Sequence, residues 1–114
     1  MVEQRIDGQP ASVEALSYFV FSNYGAFTSM VVEDGAVRGL ELHLDRLKTE
    51  GLELFGQAVD EDHLRHLMRL AIGGREGRFG LRVNLFSPDI TLRQPAETLT
   101  PRVLTSVTPA PLAL

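Results

Sequence analysis

Chemistry that runs through a lysine amine has one candidate in this sequence, Lys48, because ten of the 11 basic residues are arginine. An arginine does other work: its guanidinium stays charged and offers a planar fork of donors to carboxylates and phosphates. Arg82 stands opposite Leu81 and Val83 in an alternating run, which puts it on the solvated face of its strand. Arg46 has Glu50 four residues on, a pair worth a few tenths of a kcal/mol on an exposed helix. His63 and His66 lie three apart beside Glu61 and Asp62. They could share a metal, but the stronger helical zinc pattern spaces its histidines by four around a glutamate, and a solvated helix face is the simpler reading. Ser17, Ser22, Ser29 and Ser87 lack the context of a nucleophile elbow. With no cysteine in the chain, disulfides, thiolate catalysis and cysteine metal sites are excluded.

The 114 residues are enough for one domain with one core. A net charge of −4, with the basic residues scattered, argues against nucleic acid as a partner. No run approaches the roughly 18 apolar residues of a membrane span. Met1 to Arg5 does not read as the start of a signal peptide. The expectation is a soluble cytoplasmic protein that meets neither nucleic acid nor membrane.

The elements that must position these residues follow from pattern. Val2 to Ile6 reads as a strand ended by Asp7-Gly8, and Ser12 can cap a short helix. Residues 26–33 are rich in strand formers. Asp34-Gly35 then signals a tight hairpin whose return strand is Ala36–Arg38, because both central positions of a type I′ turn need positive φ. Leu40, Leu44 and Leu47 follow helical spacing, and a helix is expected from Leu40 to Phe55, weakened at Gly51 and stopped at Gly56. Asp60 can cap a second helix, with Leu64, Leu67, Met68, Ala71 and Ile72 on its apolar face and Gly73-Gly74 at its end. In the first turn of that helix, the acidic run 60–62 complements the helix dipole. Residues 75–78 read as loop, Leu81–Leu85 as a half-buried strand, 93–98 as loop and Arg102–Val107 as a last strand. The order of elements predicts an α+β fold: an antiparallel sheet with two main helices packed on one face. Residues 1–107 form the domain, and 108–114, rich in Pro and Ala, read as the start of an interdomain linker.

One segment is more specific. It reads Tyr24-Gly25-Ala26-Phe27-Thr28-Ser29-Met30, then the Asp34-Gly35 hairpin, then Leu42-His43-Leu44-Asp45-Arg46-Leu47. This ordered set resembles the class IV (fold type IV) pyridoxal-phosphate (PLP) enzymes, which include branched-chain and D-amino-acid aminotransferases and aminodeoxychorismate lyases. These share a Gly-x-Phe/Tyr strand entry, an Asp-Gly-type hairpin and a helix bearing His-x-x-Arg-Leu. The likeness is clearest over 23–56 and weaker to about Val107. It implies the small N-terminal domain of such an enzyme, with pyridoxal 5'-phosphate as cofactor. The family's phosphate-contacting arginine falls on Arg46. Phe27 falls on an aromatic that walls the substrate pocket, with core packing as its other reading. Tyr24 can face the same pocket, or sit in the core or at the rim. Some members hold a substrate carboxylate with polar groups of the small domain, a role the resemblance offers to Arg82, with a solvated sheet face as its other reading. His43 orders the junction between hairpin and helix. Thr28 stands where some members carry an acidic residue, which leaves the substrate class and any D-specificity open.

The resemblance also implies a Schiff-base lysine, which in this family lies in a larger C-terminal domain. Lys48 does not replace it: two residues along a helix turn side chains apart by about 200°. No catalytic residue is therefore expected within these 114 residues, and no metal. The expected whole is a homodimeric enzyme that moves an amino group between an amino acid and a 2-oxo acid. Elimination of the aminodeoxychorismate-lyase type is an alternative. A non-catalytic α+β module for ligand binding or dimerisation is another.

Overall fold

Two dipeptides fix the tightest reversals of the chain. Asp7 and Gly8 have φ of 51° and 83°, and Asp34 and Gly35 have φ of 50° and 79°. Positive φ at both central positions is what a two-residue type I′ hairpin requires. The computed structural model describes residues 3–13, 16, 25–86 and 101–109. In it, Asp7-Gly8 joins β1 (Glu3–Ile6) to β2 (Gln9–Pro10), and Asp34-Gly35 joins β3 (Gly25–Glu33) to β4 (Ala36–Val37). The second hairpin is the expected one. The first is an addition, since the sequence marked only a strand end there. Pro10 has no N–H to give, which suits the outermost strand. The short helix expected after Ser12 falls largely outside the described residues.

Among the described residues, the remaining elements are α1 (Leu40–Phe55), α2 (Glu61–Ile72), β5 (Arg78–Phe86) and β6 (Arg102–Pro109). The six strands form one sheet in the order β2-β1-β6-β5-β3-β4, and every neighbouring pair is antiparallel. This is the α+β arrangement expected from the order of elements. Boundaries differ most at the start of β5 and the end of β6. β5 begins at Arg78 rather than Leu81, because Arg78, Phe79 and Gly80 continue the ladder opposite Glu33, Val32 and Val31. Gly80 hides this continuation in the sequence, since glycine lacks strand propensity. A Cβ there would come 2.6 Å from Thr108 Oγ1, so only glycine fits without displacing that side chain. At the other end, Thr108 and Pro109 extend β6 by pairing with Gly80 and Phe79, where the sequence reads the linker as beginning.

Alternation sorts the sheet into two faces. Ala26, Met30 and Val32 of β3, Phe79, Leu81, Val83 and Leu85 of β5, and Val103 and Val107 of β6 all enter one buried cluster. Leu44, Leu47 and Phe55 of α1 and Leu64, Leu67, Met68 and Ala71 of α2 complete it, so both helices cover the same face. The helix ends behave as their residues dictate. Asp60 Oδ1 accepts from the Asp62 N–H at 3.0 Å, and Gly56, with φ of 68°, donates its N–H to the Leu52 carbonyl at 3.0 Å. A smaller cluster of Ile6, Phe86 and Leu104 covers one end of the opposite face. No helix among the described residues is long and apolar enough to cross a membrane.

Gly51 does not break α1, which runs through it to Phe55. The glycine is buried, and a Cβ would lie 2.8 Å from Val59 Cγ2 and 3.2 Å from Leu85 Cδ1. Leu85 is fully buried, and Val59, half-buried in the loop between the helices, packs against the same core and would have to shift. Gly51→Ala gains about 1 kcal/mol of helix propensity but overpacks the core at a cost of about 1–3 kcal/mol. The expected net effect is lower stability by about 1 kcal/mol in denaturant unfolding. Adding Val59→Ala is expected to remove the Gly51→Ala penalty; a penalty that persists in the double variant refutes the packing account.

Candidate active-site face

The face of the sheet away from the helices carries two of the residues that the sequence marked for chemistry, Phe27 and Arg82. Phe27 projects from β3 and remains 48% exposed although it is a large aromatic. Its neighbours along the strand, Ala26 and Thr28, are buried on the helix side. Phe27 is thus not a core residue. Arg82, from the adjacent strand β5, lies with its guanidinium carbon 4.0 Å from the centre of the Phe27 ring. This cation–π contact contributes about 0.5–1 kcal/mol at an exposed site and restrains the arginine beside the ring. Arg82 faces away from the buried Leu81 and Val83, as alternation predicts.

On its other side, Phe27 lines a cavity of about 300 Å³ together with Arg46, Glu50, Glu53 and Leu54. Arg46 is largely exposed, at 63%, and its Nε lies 3.4 Å from Glu50 Oε1. The i,i+4 pair is therefore formed in the free chain. The structure brings Phe27, Arg46 and Arg82 into one region. Tyr24 lies outside the described residues.

A larger cavity, about 610 Å³, opens over the same face and is lined by Ser29, Val31, Arg38, His43, Arg82, Ser106 and Thr108 among others. His43 reaches this cavity from α1. Its Nδ1 is hydrogen-bonded to Thr28 Oγ1 at 2.7 Å, which ties the first turn of the helix to β3. Thr28 is buried, so the bond forms where water competes little. Sequence reasoning missed Arg38. It stands at the end of the hairpin's return strand, and only the three-dimensional approach of β3, β5 and α1 shows that it shares a cavity with Arg82.

Lys48 is engaged elsewhere. Its Nζ lies 2.7 Å from Glu61 Oε1 and 3.6 Å from Asp45 Oδ1, bridging α1 to α2. The hydrogen bond to Glu61 raises the Lys48 pKa above its ordinary value, which favours the protonated, non-nucleophilic form. The network extends through Arg65, which bonds Glu61 at 3.1 Å and Glu41 at 2.6 Å. Lys48 first, and Arg65 next, hold the Glu61 carboxyl below its ordinary value of 4.5. A depressed carboxylate contributes stability above its unfolded pKa and loses it as pH falls through the folded value. Thermal stability is thus expected to fall as the pH drops below about 4.5, and Glu61→Gln should flatten that limb. An acid limb unchanged by Glu61→Gln would separate this network from acid unfolding. His63 and His66 are both exposed on α2.

No family model matches the chain, and no curated protein sequence matches it. Solved structures do. A 4-amino-4-deoxychorismate lyase from Pseudomonas aeruginosa superposes with a TM-score of 0.58 at 27% identity, covering 97% of this chain and 41% of the enzyme. A fold IV transaminase from Curtobacterium pusillum superposes with a TM-score of 0.53 at 24% identity, covering 76% of this chain and 29% of the enzyme. The resemblance to fold-type IV enzymes read from the sequence extends to the architecture. The chain spans well under half the length of either structure.

Proposed function

We propose that this chain is the N-terminal small domain of a class IV pyridoxal-phosphate enzyme that transfers an amino group between an amino acid and a 2-oxo acid. One observation carries the reading. Phe27 has Arg82 over its ring and shares a cavity with Arg46, so three residues singled out in the sequence gather around one aromatic side chain. The likeness to two enzymes that are each more than twice the chain's length supports a larger C-terminal domain closing over that face.

The donor chemistry fits one part of the cofactor. Arg46 is a permanently charged fork suited to a phosphate dianion. Glu50 and Glu53 share its cavity, so Arg46 must turn from Glu50 to meet that anion. An exposed i,i+4 pair contributes only a few tenths of a kcal/mol, which makes the turn inexpensive. Nothing in the chain suits the aldehyde, because its single lysine is held in the interhelix network. The amine that bonds the aldehyde belongs, in this reading, to the second domain. The cofactor supplies an electron sink at the substrate α-carbon. The chain's own part is to anchor the phosphate through Arg46, wall the pocket and exclude water with Phe27, and hold a substrate carboxylate with Arg82. Tyr24 is assigned to the pocket rim. The whole is a cytoplasmic homodimer.

A second reading, elimination from an aminated substrate, is favoured by the wider coverage and higher identity of the lyase match. The full reading frame, expressed and purified, distinguishes these readings. Visible absorbance of bound cofactor supports a PLP enzyme. Product formation that needs a 2-oxo acid acceptor marks transfer, and product formation without an acceptor marks elimination. A full-length protein that takes up no cofactor overturns both and leaves a non-catalytic module.

A further inference from the structure

The sequence holds two Asp-Gly pairs, and each forms the centre of a two-residue hairpin with positive φ at both positions. Their surroundings differ sharply. The Asp7 carboxylate is held on both oxygens: Oδ1 accepts from the Val103 N–H at 2.9 Å, and Oδ2 accepts from Arg102 Nε at 3.0 Å. Its glycine, Gly8, is buried, and a Cβ there would come 3.1 Å from side-chain carbons of Leu67 and Leu70 on α2. The Gly8 carbonyl accepts from Arg5 Nη1 at 3.1 Å. Asp34 and Gly35, by contrast, are both exposed. Among the described residues, nothing bonds the Asp34 carboxylate or the Gly35 N–H. A Cβ on Gly35 would meet no atom within 4 Å, and both residues line an open cavity of about 420 Å³ at the hairpin tip.

A carboxyl that precedes a glycine can be attacked by the glycine's own backbone nitrogen, since no Cβ obstructs the approach. We propose that Asp34-Gly35 is a site of spontaneous isoaspartate formation, and that the fold shields Asp7-Gly8 from the same reaction. The Gly35 nitrogen bonds to Asp34 Cγ, the Cγ–OH bond breaks, and the amide proton leaves with that hydroxyl as water. The cyclic imide then takes up one water. Opening at Cγ restores aspartate. Opening at the Asp34 backbone carbonyl leaves the chain running through Cγ, with a free α-carboxylate. Nothing is oxidised or reduced, and the reaction needs neither cofactor nor second domain. The isoaspartyl link adds one backbone carbon to a turn of two residues. Only the pairs Val32–Val37 and Glu33–Ala36 hold β4 to the edge of the sheet, so the modification unseats β4, the strand that leads into α1.

The test holds the 114-residue chain for weeks in mildly acidic heavy-oxygen water at body temperature. The chain is then mapped with a protease that cuts before aspartate but not before isoaspartate. Isoaspartate at position 34 is expected to exceed that at position 7 by at least about tenfold, the order of effect of one charge-assisted hydrogen bond that Asp7 must first release. The converted Asp34 site should carry one heavy oxygen. In urea, where neither pair keeps its surroundings, the two should convert at similar rates. Asp34→Asn keeps a residue suited to the turn and expels ammonia in place of water, so it should reach the same products sooner. Equal conversion of the two pairs in the folded chain, no conversion at Asp34, or a difference that persists in urea would each refute the proposal. An Asp34→Asn chain that stays intact would refute it as well.

Discussion

Replacing Arg46 with alanine in the full-length protein is expected to weaken PLP binding by roughly 10- to 100-fold, the equivalent of one hydrogen-bonded contact to a charged group. Arg46 is 63% exposed, and its partner Glu50 lies on the same helix at 3.4 Å. Nothing about that pair holds the fold together, so Arg46→Ala should shift the unfolding midpoint very little. A loss of cofactor affinity without a loss of stability is the signature of a ligand contact. Arg46→Lys should recover only part of the affinity, since a lysine keeps the charge but not the bidentate fork. The measurement is titration of the cofactor-free full-length protein with PLP, beside a thermal melt of each variant. An affinity unchanged by Arg46→Ala removes the residue from the site.

Phe55→Ala should show the opposite signature. Phe55 is fully buried at the last turn of α1 and belongs to the main core cluster. Truncating a buried phenylalanine costs about 3–5 kcal/mol through lost transfer energy and the cavity left behind. Against a typical total of about 5–15 kcal/mol for a domain, that removes much of the stability. It also loosens the end of the helix that carries Arg46. Denaturant unfolding of the 114-residue chain reads the loss directly. A loss below about 1 kcal/mol would mean that the core around Phe55 collapses to fill the space, or that the helix end is not anchored there.

What the sequence disclosed divides along the distance over which each signal acts. The Asp34-Gly35 hairpin, the Asp60 cap and the Gly56 stop were legible because each is decided within four residues by backbone chemistry. The inward face of α2 was legible for the same reason, as a helical repeat of Leu64, Leu67, Met68 and Ala71. The low helix propensity of Gly51 was legible, but its purpose was not, because it lies in Val59 and Leu85, which only tertiary packing brings close. The early start of β5 was hidden by Gly80, whose missing side chain makes way for Thr108 from another strand. Thr28 appeared only as a departure from a family pattern. The fold turns it into the hydroxyl that bonds His43. The orientation of Arg82 followed from alternation, but its contact with Phe27 depends on the register that sets Phe27 opposite Asn84 and Ser29 opposite Arg82. Arg38 left no sequence signal, since a single arginine after a hairpin says nothing about the strands across from it.

The strand order has a consequence for how the chain matures. β6, the last described strand to leave the ribosome, sits in the middle of the sheet between β1 and β5. Its partner on one side, β1, is the first, with Glu3 opposite Val107 and Ile6 opposite Leu104. During synthesis the β3–β5 pair and the β1–β2 hairpin lack the strand that pairs with both, and only side-chain contacts such as the Arg75–Glu3 ion pair can link them. Long-range closures of this kind slow folding, because the chain must surrender loop entropy before the contacts reward it. The nascent chain therefore waits, with two unsatisfied sheet margins, for one late segment to act as its keystone. Ribosome-stalled chains that end before Arg102 should be far more readily cut by protease than chains in which Pro109 has cleared the exit tunnel.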